Sequence, residues 1–235
     1  MSKARIIESV QRLDLESAKA LLDANPSLLW VTDRGRRNLL HIACSASCTN
    51  LKAPESAAAR MVGFLLDRGL DVESTLQVGK NECDRVNAVW FAVARGRNPT
   101  VVKLLIRRGG TPNGLYAAGW YEDIPMLDLL LREGADVDVV VGVTPFLACW
   151  RWKKFEAAKF LAQKGANVNY QDPKNGKTAL HYGVEAEYDP GLLSWLVRHG
   201  ASLDIEDHEG VTARLKASRK RDKRFFAALA SPIAT

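Results

Sequence analysis

Apolar residues recur at helical rather than alternating spacing in several runs of this chain, among them Val101–Arg108 and Leu127–Arg132. Each run ends at a glycine: Gly69, Gly109, Gly134, Gly165 and Gly200. Glycine just past a last helical turn can adopt the left-handed conformation that closes a helix. Before two of these runs stand shorter apolar segments opened by Thr144-Pro145 and Thr178-Ala179. Threonine caps a helix N-terminus well, and proline is pre-set for the first helical position. The pattern predicts helix pairs joined by short turns. Extended arms such as Gly134–Asp138 lead into short hairpins between the pairs, with little true sheet.

The pairs repeat. Thr178-Ala179-Leu180-His181-Tyr182-Gly183 corresponds to Thr144-Pro145-Phe146-Leu147-Ala148-Cys149, and both follow the pattern T-P-L-H-x-A. Aligned on the histidine position, the units carry His41, Trp90, Tyr116, Leu147, His181 and Leu215, and the last two intervals are both 34 residues. The chain thereby resembles the ankyrin repeat family over essentially its whole length, most specifically in the units at Leu147 and His181. The fold class this implies is all-α: an ankyrin-repeat solenoid of stacked helix–turn–helix units with short hairpin fingers, buried between neighbours and leaving one long face free. No Pro/Gly/Ser linker divides the chain, so 1–235 reads as one domain. Residues 1–32 are the N-terminal capping unit, 33–204 the repeats and 205–235 the C-terminal capping unit. The front is irregular. An insertion at 45–54 reads as a loop between paired helices, 74–84 as an enlarged finger, and the finger before Tyr116 is almost deleted.

Composition is that of an ordinary globular protein, and the net charge is +6. The start, Met1–Glu8, lacks the apolar core of a signal peptide, and no uncharged apolar run could span a bilayer. The expectation is a cytoplasmic monomer with no membrane contact; a leaderless secreted or nuclear protein would look the same. Cys44, Cys48, Cys83 and Cys149 have neither disulfide-framework nor paired metal-ligand spacing and read as packed or solitary thiols. No metal, cofactor or catalytic residue is expected: phosphate loops, zinc-protease motifs and nucleophile elbows are all missing. His41 and His181 occupy the signature position, whose role in the family is hydrogen bonding between units.

What remains is a binding surface. The resemblance implies that ligands meet the concave face, at the fingers and the exposed ends of the inner helices. On that mapping the partner-binding candidates are Arg34, Arg37 and Lys177 in fingers, with Arg95, Trp120, Tyr121, Arg151, Trp152 and Glu185 at helix ends. Trp, Tyr and Arg dominate binding hot spots. Trp120, Tyr121 and Trp152 are the proposed anchors, and basic residues around them suit an acidic or polar protein surface with an apolar centre. Trp90, Trp150 and Trp195 read as packing. The expected role is a non-catalytic protein-interaction module, an inhibitor or adaptor. The alternative is a binder of nucleic acid or another anionic surface, through the basic run Arg214–Arg224 together with Arg34, Arg36 and Arg37. That run reads as the solvated side of a capping helix whose apolar side is Phe225, Phe226 and Leu229.

Overall fold

The computed structural model describes residues 2–77 and 85–229. They form two compact units: Met1–Ala118 with Pro125–Ala135, and Gly119–Ile124 with Asp136–Thr235. The expected finger tip at 78–84, with Cys83 in it, lies outside the described residues.

Unit 1 begins with the helix pair α1 (Ser2–Gln11) and α2 (Leu15–Ala24), followed by a 3-10 turn at Pro26–Trp30. Next come α3 (Leu39–Cys44), α4 (Cys48–Leu51) and α5 (Glu55–Asp67). The insertion at 45–54 is thus not a bare loop. Ser47 caps a one-turn helix by accepting from the Asn50 N–H, and this helix buries Cys48. A two-residue antiparallel pair, β1 (Leu76–Gln77) and β2 (Arg85–Val86), forms the base of the enlarged finger, with Leu76 opposite Val86. Then come α6 (Ala88–Phe91), a π-helical turn at Ala92–Gly96, and α7 (Pro99–Arg107). Helices α1, α3 and α6 stack as an inner layer, and α5 packs on α7 in an outer one. Gly96 makes the close stacking possible: a Cβ there would lie 2.3 Å from the Cys44 carbonyl oxygen. Helices α8 (Leu115–Trp120) and α9 (Ile124–Arg132) follow with no described strand before α8, as the short spacing after Gly109 predicts.

Unit 2 repeats the plan with α10 (Pro145–Arg151) and α11 (Phe155–Gln163), α12 (Ala179–Glu185) and α13 (Pro190–Arg198), then α14 (Ala213–Ser218) and α15 (Arg224–Leu229). Helices α10, α12 and α14 stack in sequence, and α13 packs on α15. Thr144 and Thr212 cap their helices through the side chain, as the sequence predicts for Thr144. The core is built around Phe146, Cys149 and Trp150, all fully buried, with Trp150 edge-on to Phe155. Burying an aromatic side chain of this kind is worth roughly 1.5–3 kcal/mol. Gly119 accommodates the sulfur of Cys149, which would stand 2.4 Å from any Cβ placed there. Burial pushes the Cys149 thiol up to about 12, so it is inert at neutral pH.

Two classes of left-handed residue punctuate the units. The five glycines that end the outer helices have φ between +88° and +100°. The turns linking inner to outer helices instead use Leu13, Lys52, Arg97, Glu122, Lys153 and Glu187, with φ between +49° and +60°. A side chain in that conformation costs roughly 1–2 kcal/mol. At the carboxy end, Phe225 and Leu229 are buried but Phe226 is exposed, so only two of the three residues expected to cover the preceding repeat do so. Leu215, at the signature histidine position, is also exposed.

Candidate partner-binding surface

The inner-to-outer turns of unit 2 decide where its exposed aromatics go. Helix α10 ends as the Trp152 N–H donates to the Ala148 carbonyl; Lys153 then turns left-handed and the Lys154 N–H returns to the Cys149 carbonyl. One repeat earlier, Glu122 makes the same left-handed turn, its N–H on the Gly119 carbonyl. The Glu122 carboxylate accepts the Glu156 N–H at 3.2 Å and links the two turns. The rings of Trp120 and Trp152 consequently meet edge to face, with centroids 5.2 Å apart and planes at 83°. The Lys154 ammonium stands 5.7 Å from the centre of the Trp120 ring. Such contacts are worth about 0.5–1.5 kcal/mol for the ring pair and about 0.5–1 kcal/mol for the exposed cation. They fix the rings without burying them: Trp120 is 50 % exposed, the adjacent Tyr121 45 % and Trp152 38 %.

The charged candidates in unit 2 are held differently. Arg151 donates to Asp172 at 2.9 Å and lies over the Tyr182 ring at 4.9 Å, while the Tyr182 hydroxyl donates to the same carboxylate oxygen at 2.7 Å. Burial pushes the Asp172 carboxyl up, but these bonds and the Lys174 N–H outweigh it and hold the group below its ordinary value. Lys177 donates to Glu185 at 2.7 Å; Glu185 also accepts from Lys216, which pairs with buried Asp207 at 2.8 Å. Burial again opposes ionisation of Glu185, and the two ammonium groups prevail. Asp207 is driven to about 2: burial is overcome by Lys216 and by the Val211 and Glu209 N–H groups. Arg151, Lys177 and Glu185 therefore fasten fingers to inner helices, and only their outer edges remain for a partner. Lys220, expected to face water, pairs with Glu187 at 2.9 Å.

In unit 1, Arg37 is bound to Asp33 through its side chain at 2.8 Å and its N–H at 2.9 Å. Arg34 and Arg95 are exposed. Trp150 is core, as expected, whereas Trp90 and Trp195 are half-buried, Trp195 stacked on His199 at 3.8 Å.

Sequence reasoning passed over two features. Trp30, at the end of the 3-10 turn, is 66 % exposed beside buried Leu28 and Leu29. Val139, Val140 and Val141 are exposed in the finger before Thr144. The signal for both was an apolar residue beyond what the helix pattern needs, three in succession where a turn asks for polar ones.

Comparison with known proteins agrees with this geometry. Residues 114–207 match the family described as ankyrin repeats (3 copies). The ankyrin repeat domain of Bcl-3, described as a unique member of the IkappaB protein family, superposes with a TM-score of 0.75 at 23 % identity, covering 97 % of this chain and 98 % of that one. The human ASB11 ankyrin repeat domain does so with a TM-score of 0.67 at 18 % identity, covering 96 % of each. Among curated relatives, the mouse ankyrin repeat and SOCS box protein 6 is 37 % identical over 68 residues, 29 % of this chain and 16 % of that protein. The chicken nuclear factor NF-kappa-B p105 subunit is 26 % identical over 205 residues, 87 % of this chain and 18 % of that protein. The chain thus spans less than a fifth of the length of these curated relatives. The class the fold defines is the stack of helical pairs linked by hairpin fingers. Residues 114–207 carry ankyrin repeats, and the two superposed ankyrin repeat domains share this fold over nearly the whole chain.

Proposed function

We propose that this chain is a non-catalytic module that binds a partner protein on the concave face, with Trp120, Tyr121 and Trp152 as its anchors. The observation that carries this reading is the exposure of all three rings, two of them in mutual contact, on a unit whose other large side chains are mostly packed. Rigid aromatics lose little conformational freedom on binding, and Trp and Tyr concentrate binding energy. Lys154 beside Trp120, with the outer edges of Arg151 and Lys177, favours an acidic or polar rim on the partner. Occupying an enzyme's surface as an inhibitor, or bridging two proteins as an adaptor, are the two forms such binding takes.

The test uses the tagged full chain in cross-linked capture, with Trp120→Ala and Trp152→Ala as separate variants. Each substitution is expected to weaken the captured partner by at least about 2 kcal/mol, roughly 30-fold. The melting temperature should hardly move. A collapse in melting temperature with unchanged binding per folded molecule would instead make the rings structural and end this reading.

A further inference from the structure

The last helix pair of unit 2 rests on the pair before it: α14 packs on α12, α15 on α13, and α14 and α15 on each other. The Ser194 hydroxyl of α13 donates to the Ala228 carbonyl of α15 at 3.1 Å. The buried side of α14 is Ala213 and Ala217, and that of α15 is Phe225, Ala228 and Leu229. The opposite sides of both helices therefore turn away from α12 and α13 and make one surface. At roughly 100° per residue, Leu215 lies opposite the two buried alanines, between Arg214 and Arg219. On the other helix the matching side carries Lys223, just before α15 begins, and Phe226. Leu215 is 41 % exposed and Phe226 42 %. Arg214, Arg219, Lys223 and, in the joining turn, Arg221 are exposed as well. Lys223 donates to the Ser218 and Lys220 carbonyls at 3.4 and 3.5 Å, which bridges the two helices and leaves its charge unneutralised. Arg214, Arg219 and Arg221 meet no carboxylate among the described residues. Asp222 is the one acidic side chain in 210–235, and Arg224 holds both of its oxygens.

From this we infer that the outer side of α14 and α15 is a peripheral membrane-binding face that takes an anionic bilayer surface. Clusters of about four to eight basic residues are drawn to anionic leaflets. Apolar side chains set among such cations enter the boundary between headgroups and acyl chains. A bilayer presents phosphate and hydrocarbon in successive layers, so it satisfies the four cations and the pair Leu215 and Phe226 together. A nucleic-acid duplex offers phosphate but nothing for Leu215, and tight binding takes roughly six to ten phosphate contacts, more than this face can make. No described helix is long and apolar enough to cross a membrane, so the contact is with one leaflet. The expectation of no membrane contact rested on the lack of a spanning run, a criterion that does not report on a surface of this kind. The face shares no residue with the aromatic anchors.

The probe is a vesicle of equal parts phosphatidylserine and phosphatidylcholine, co-sedimented with the full chain; vesicles of phosphatidylcholine alone are the reference. Binding is expected to the anionic vesicles, falling as salt is raised. The variant R214Q/R219Q/R221Q should lose at least about tenfold in partitioning with its melting temperature kept. R214K/R219K/R221K keeps the charge and should bind as the parent does, because a bilayer reads charge rather than the geometry of the guanidinium. L215S/F226S should lose at least about threefold, and this loss should persist at raised salt. R34Q/R36Q/R95Q removes the same charge from exposed positions of unit 1 and should bind as the parent does. Trp120→Ala/Trp152→Ala should do so too, whether or not the aromatic reading stands. Equal losses in the two glutamine variants would reduce the effect to net charge and overturn the proposal, as would loss in the lysine or the tryptophan variant. Equal binding to the phosphatidylcholine vesicles overturns it as well. It also fails if short duplex DNA competes the chain off the vesicles and is bound more tightly than they are.

Discussion

His41 in unit 1 and His181 in unit 2 occupy the same place in the repeat and are wired differently. Each points Nε2 at a carbonyl of the following finger, Ser74 at 2.8 Å and Val211 at 2.9 Å. Since a carbonyl only accepts, Nε2 carries the proton in both and Nδ1 is an acceptor. Around His181 that acceptor is satisfied by Thr178, through its N–H at 3.2 Å and its hydroxyl at 2.9 Å. Around His41 the capping residue is Asn38, whose side-chain oxygen accepts the His41 N–H, and the buried Nδ1 has no hydrogen-bond partner among the described residues. One change of capping residue leaves a full network in one unit and an orphaned acceptor in the other. Helix capping and hydrogen bonding to the imidazole Nδ1 are therefore separable functions of the capping residue. Asparagine supplies the first and not the second.

The largest effect expected from this comparison is the cost of removing each ring. His181→Ala strands the Thr178 donors and leaves the Val211 carbonyl with the Asp207 N–H, and should destabilise by about 3 kcal/mol. His41→Ala strands only the Ser74 carbonyl and should cost about 2 kcal/mol, since each buried group left unpaired costs about 1–3 kcal/mol. Urea unfolding of the two variants measures the difference, and equal losses would show that the Thr178 bonds contribute nothing net.

Acid should separate the units next. Both imidazoles lie below their ordinary value, first because of burial, against the raising effect of the carbonyl each contacts. A group of depressed folded pKa gives stability that is complete above its unfolded value, about 6.5 for histidine, and is lost as pH falls below that. A second loss should begin below about 4, where Asp172, Glu185 and Asp207 of unit 2, all held below their usual values, take up protons. Stability measured against pH should show both steps, with Asp207→Asn shrinking the lower one and, because the Asp207 carboxylate also raises the His181 imidazole, deepening the upper one.

A smaller effect tests the asymmetry by repairing it. Asn38→Thr gives the His41 Nδ1 a hydroxyl donor and should stabilise by about 1 kcal/mol, while Thr178→Asn should cost a similar amount. Smallest is Lys153→Gly, which relieves a left-handed side chain but loosens the unfolded chain. A net gain of roughly 0.5 kcal/mol is expected by calorimetry.

Much of the scaffold was legible because its signals are local. Thr144 before Pro145 and the glycines after five of the outer helices state their own conformations. The aromatic cluster was legible in part, since Trp120, Tyr121 and Trp152 exceed what the helix pattern can bury. What could not be read was the fate of the charges. Whether Arg151 reaches a partner or Asp172 depends on a finger 21 residues later, and no spacing rule reports that Lys216 closes a circuit through Glu185 to Asp207. The left-handed Lys153 and Glu187 were likewise hidden, because neither residue type announces that conformation.

The nesting of the Cys149 sulfur against Gly119 sets a condition on how this chain can change over time. A larger residue at 119 has room only if 149 has already become smaller, so the order of the two substitutions matters. Lineages that kept a thiol at 149 are held to glycine at 119, and the two positions should drift as a pair although 30 residues separate them.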